Sequence, residues 1–158
     1  MDERSLLLKF WDKESATTRT VLSRIPEGSD YRPDPKSRTA REIGWLIVRE
    51  ELTLVEGLEK GALEWVEVAA PATMKEILDE LDTADLGRRL HAITEARWEG
   101  AVPFMFNGQA IMNETGYNNA WGFLFDIIHH RGQLTTYLRP MGAKVPSIYG
   151  PSADDPGM

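Results

Sequence analysis

The sequence predicts an all-α protein, a four-helix bundle with a small β-hairpin between the third and fourth helices. Three observations predict it. Long segments carry apolar residues at helical spacing, the joints between them are rich in proline and glycine, and Asn107-Gly108 sits between two short apolar runs. The 158 residues correspond to one ordinary domain, taken as 1–158, with 42% hydrophobic and 27% charged residues.

The first helix is expected from about Asp2 to Arg24. Leu7, Trp11, Thr18, Leu22 and Ile25 fall on one face, and Ser15 and Thr18 share that face. Small hydroxyls there pack between helices and bond their own backbone, or line a cavity. The stretch "PEGSDYRPDPKS", residues 26–37, is a loop and a candidate pocket rim.

The second helix opens near "SRTARE", where Thr39 and Glu42 have capping-box spacing. Its apolar stripe is Ile43, Leu46, Ile47, Leu54 and Leu58, with Glu50 in the middle. A lone carboxylate on an apolar face costs several kcal/mol unless it is paired or bound to a cation. Arg41 and Arg49 are candidate surface partners for it. Thr73 and Glu76 repeat the capping-box spacing at the start of a third helix, expected to run to about Trp98 with a kink or break at "DTADLG". His91 stands in no motif. The run "AVPFMFNGQAIMN" predicts a hairpin at about 102–113, an edge decoration because Pro103 interrupts it.

The fourth helix is expected from about Thr115 to Leu138, stopped by Arg139-Pro140 and Gly142. On a wheel, Trp121, Phe125, Ile128 and Gly132 form one face, and Asp126, His130, Gln133 and Tyr137 form another. Asp126 and His130 stand one above the other at i and i+4, which suits two ligands of one divalent metal. Zinc, nickel, iron and manganese all accept imidazole and carboxylate donors. The same spacing also makes a minor surface ion pair. Gly132 is costly inside a helix and predicts close approach of another backbone. In the tail, Ile148 and Tyr149 are expected to dock on the body.

The charge of -7 and the short basic stretches argue against a nucleic-acid partner. No apolar run is long enough for a membrane span, the N-terminus lacks the pattern of a signal peptide, and a cytoplasmic location is the default expectation. With no cysteine, disulfides, thiolate ligands and a cysteine nucleophile are excluded.

"HHRGQL" followed by "YLRPMGAKVPSIYG" resembles the C-terminal signature of the DinB/YfiT-like family of four-helix-bundle metalloenzymes, and "SRTAREIGWLIVREE" resembles its second helix. The resemblance spans nearly the whole chain. It implies a histidine triad, with one ligand on helix two and two on helix four, the second just before Arg-Gly-Gln. Here that last ligand is His130, Asp126 stands where the family has histidine, and the helix-two position is Leu46, which cannot bind a metal. Glu50, one turn beyond Leu46, is the candidate replacement. The implied activities are a metal-dependent thiol S-transferase or a hydrolase-like enzyme, with a small-molecule or thiol substrate and Asp126 and His130 as catalytic or ligating residues. The alternative is a non-catalytic small-molecule-binding or stress-associated protein without metal. The resemblance also implies a homodimer, for which the Trp121/Phe125/Ile128 face is the candidate surface. The family label concerns DNA-damage induction and implies no contact with DNA.

Overall fold

The computed structural model describes residues 1–157 and is mostly helical, with a small three-stranded mixed sheet. In chain order the elements are α1 (Glu3–Leu22), α2 (Ala40–Lys60), β1 (Leu63–Trp65), α3 (Met74–Thr83), α4 (Leu86–His91), α5 (Glu95–Glu99), β2 (Ala101–Phe106), β3 (Gln109–Thr115) and α6 (Gly116–Leu138). A 3₁₀ turn, Arg139–Met141, follows α6 and ends at Gly142 with φ of 78°. Among the described residues no helix is long and apolar enough to cross a membrane.

Local chemistry starts the helices where the sequence places them. Asp2 caps α1 by accepting from the Ser5 amide, and complete capping boxes at Thr39/Glu42 and Thr73/Glu76 start α2 and α3. Thr115 caps α6 through the Asn118 amide. α1, α2 and α6 pack together around Leu7, Trp11, Leu22, Ile47, Leu54, Leu124, Ile127 and Leu134, all buried.

The long third helix is not formed. Its span breaks within "DTADLG", where Asp85 takes a left-handed conformation at φ of 50° and resets the register, and again between His91 and Glu95, giving α3, α4 and α5. The reset lets Leu86, Leu90, Ile93 and Trp98 all reach the core. Arg89 donates to the freed Ala84 carbonyl at the break, at 3.2 Å.

The hairpin forms, turning at Asn107 and Gly108 with φ of 49° and 75°. It is not an edge decoration. β2 is the central strand, antiparallel to β3 and parallel to β1, with Leu63 opposite Phe104 and Trp65 opposite Phe106. Pro103 is tolerated because β1 pairs only with residues 104–106, beyond it. The Asn119 amide donates to the Val102 carbonyl at 2.8 Å and fixes this sheet against α6.

The main buried face of α6 is neither of the two wheel faces described above. The buried stripe is Leu124, Ile127, Arg131, Leu134 and Leu138, while Phe125 is 63% exposed. Gly132 likewise has no close neighbour: a Cβ there would meet nothing within 4 Å. The close approach belongs to Gly116, where a Cβ would lie 2.6 Å from the Arg97 carbonyl oxygen.

Candidate metal centre

Glu50 is placed by the middle of α2, Asp126 and His130 by successive turns of α6. These two helices pack face to face, and the three side chains converge between them. Each offers a ligand atom, and these atoms lie within 4.8 Å of one another. The His130 Nδ1 is 2.9 Å from Glu50 Oε1, and its Nε2 is 3.9 Å from Asp126 Oδ1. Glu50 is only 4% exposed, so its surface pairing with Arg41 or Arg49 is not realised. Arg41 instead reaches Asp30 and the Pro71 carbonyl, both outside the centre. Leu46 lines the same cleft one turn before Glu50.

The short Nδ1–Oε1 approach is a contact without hydrogen-bond alignment: both His130 Nδ1 and Glu50 Oε2 are buried and without a hydrogen-bond partner among the described residues. Buried polar atoms are nearly always partnered, and leaving one bare costs about 1–3 kcal/mol. Two such atoms, both good ligands, side by side on neighbouring helices fit a cation between them. Asp126, with its side chain 58% exposed, has room to turn in as the third donor. The set of two carboxylates and one imidazole could hold a divalent ion, whose charge the carboxylates balance.

Electrostatics couples the three groups. Burial pushes the Glu50 carboxyl above its ordinary value, against the pull of His130. His130 is raised above 6.5, chiefly by the Glu50 carboxylate, and by Asp126 to a lesser degree, while Arg38 opposes. Next to Glu50, Glu51 is almost wholly buried; burial raises it to about 7, and Ser15 donates to it at 3.1 Å.

The centre opens into a cleft of about 720 Å³, walled by Leu46, Trp65, Phe104, Phe106, Met112 and Phe123. Phe104 on β2 meets Phe123 on α6 edge to face, with ring centroids 5.8 Å apart. Arg38 sits at the mouth, just before the cap of α2. The loop 26–37 reaches the adjoining groove through Lys36 and Ser37.

The fold is similar to that of solved structures. A DinB-like protein from Bacillus cereus superposes with a TM-score of 0.73 at 19% identity, covering 90% of this chain and 95% of that one. A DinB-like protein from Bacillus subtilis gives 0.70 at 17%, covering 88% and 94%. The profile of the DinB family matches residues 126–157, the stretch that carries Asp126 and His130. The fold is DinB-like. No curated protein matches it in sequence. The DinB-like match includes Arg131, whose role the sequence did not disclose. Arg131 is buried and bonds Glu14 Oε2 at 2.6 Å, the Glu14 carbonyl, Thr18 Oγ1 and the Tyr149 hydroxyl. Tyr149 in turn donates to Glu14 at 2.9 Å. Thr18 and Ser15 thus serve a buried arginine and a buried glutamate instead of their own backbone or an open cavity. Ile148 packs on the core, so the tail docks as expected.

His91 lies outside the centre and pairs with Asp12 at 3.0 Å on the surface. His129 bonds Gln133 and lines the cleft without joining the three converging ligands.

Proposed function

We propose that this DinB-like protein is a metal-dependent enzyme of the transferase or hydrolase kind, with a divalent ion (zinc, nickel, iron or manganese) held by Glu50, Asp126 and His130. The observation that carries this proposal is the pair of buried, unpartnered ligating atoms, Glu50 Oε2 and His130 Nδ1. A bound ion there supplies Lewis acidity, which acidifies a thiol or water at neutral pH. The chain's own residues do the rest. Glu50 and His130 present their ligating atoms from facing helices, aromatic side chains line the cleft beside them, and Asp126 approaches Nε2 from the solvent side. With carboxylates at two of three positions the centre is harder than a histidine triad, which favours manganese, iron or zinc over softer ions.

The test is the metal content of tag-free protein after exposure to each ion. One equivalent in the wild type, lost in Glu50→Gln and His130→Ala, supports the proposal. A wild type that retains no ion sinks it. Leu46 at a ligand position favours a second reading, a small-molecule binder without turnover. That reading gains if the cleft takes ligands in thermal-shift screens while no reaction with thiols or esters is measurable.

We also propose that two copies associate through Trp121 and Phe125. These rings stack with centroids 5.9 Å apart on an exposed face of α6. A monomer in sedimentation at micromolar concentration excludes this.

A further inference from the structure

We propose that the cleft selects an amphipathic monocarboxylate, with Arg38 holding the acid group and the aromatic walls holding an aryl or branched-alkyl body. The proposal deepens the reading of the same cleft as an enzyme site, yet its test does not need a metal.

Arg38 is exposed and forms no ion pair and no side-chain hydrogen bond among the described residues. Among the described residues it is the only lysine or arginine that lines the cleft. It borders the cleft and both grooves beside it. It is therefore a cation left free at the edge of the same cleft that the centre lines. A guanidinium presents a planar fork that matches a carboxylate bidentately, and such charge-assisted bonds are the strong ones.

One wall of the cleft is apolar. Trp65, Phe104 and Phe123 offer flat faces and edges, and Leu46 adds an aliphatic surface beside Glu50. A volume of about 720 Å³ suits a small organic molecule. The ligand's charge is bounded from the other side. Glu50, Glu114 and Asp126 line the same cleft, so a polyanion meets repulsion that a single carboxylate held by Arg38 largely escapes. Leucine at position 46 matters twice over: it withholds a ligand from the metal and extends the apolar floor up to Glu50.

The test compares phenylbutyrate with phenylbutanol by calorimetric titration, in chelator-treated and metal-loaded full-length protein. We expect the acid to bind about tenfold more tightly than the alcohol in the wild type, with or without metal, the discrimination of a charge-assisted hydrogen bond. In Arg38→Gln that preference falls to about unity while the metal content stays at the wild-type level. In Phe104→Ala both ligands weaken together. Equal binding of acid and alcohol by the wild type, no binding of either at millimolar concentration, or a preference that survives Arg38→Gln each overturns the proposal. So does a preference that vanishes on chelation, since the acid would then be reading the ion. A wild type that holds no metal but keeps the Arg38-dependent preference defeats the metalloenzyme reading and leaves this inference standing.

Discussion

His130 faces two claims on its Nδ1 side, a proton and a metal ion. The Glu50 carboxylate raises its pKa above 6.5 and so favours the proton, which blocks ligation. Metal affinity therefore falls as pH drops through that raised value, and metal retained at pH 8 should be released at about pH 6, measured by equilibrium dialysis. In chelated protein the sign is opposite. A histidine raised by folding lends stability that is complete below 6.5 and lost as pH rises through its folded value. Glu51 works in the same direction: unfolded it ionises near 4.5, folded near 7, so stability declines across that window and stays reduced above it. Glu51→Gln should remove a cost on the order of 3 kcal/mol at pH 8, seen as a flatter plot of denaturation free energy against pH. A variant as pH-sensitive as the wild type would refute this account of Glu51. The buried pair Arg131–Glu14 predicts the reverse kind of effect. Arg131→Ala leaves a buried carboxylate alone and should cost about 3–5 kcal/mol, whereas Tyr149→Phe should cost about 1–2 kcal/mol, both read from chemical denaturation.

At the scale of elements, what the sequence disclosed was local. Caps at Thr39 and Thr73 and the turn at Asn107-Gly108 are decided by residues three or fewer positions apart, and all stand where the sequence puts them. β1 was invisible because its pairing partner lies about forty residues on, and three residues of Leu-Glu-Trp carry no periodicity. Arg131 misdirected the reading of α6. An arginine in the "HHRGQL" stretch looks solvated, and without it the stripe Leu124, Ile127, Leu134, Leu138 loses its centre. What stays visible in the sequence is the more exposed stripe of Trp121, Phe125 and Ile128. The convergence of Asp126 and His130 with Glu50 was legible because an acid out of place on an apolar stripe needs a partner. Two glycines in α6 turn this into an experiment. Gly132→Ala fills open space and should stabilise by about 1 kcal/mol through helix propensity, while Gly116→Ala drives a methyl group into the Arg97 carbonyl and should destabilise by about 1–3 kcal/mol. Thermal melts of the two variants should shift in opposite directions.

At the scale of the whole molecule, the centre joins α2 to α6, the two longest helices. An ion that binds only when they are together stabilises the fold by mass action, by about 4 kcal/mol at a thousandfold excess over its dissociation constant. For a chain of this length that is a rise of roughly ten degrees in melting temperature. Calorimetry with and without chelator checks it, and His130→Ala should abolish the difference. The buried arginine has one more consequence. Its bond to the Tyr149 hydroxyl stitches the final segment to the backbone position directly after His130. A protease nick anywhere between Val145 and Tyr149 would thus cut a mooring line of the candidate metal centre, and would be read as weaker uptake of any ion that Glu50, Asp126 and His130 hold.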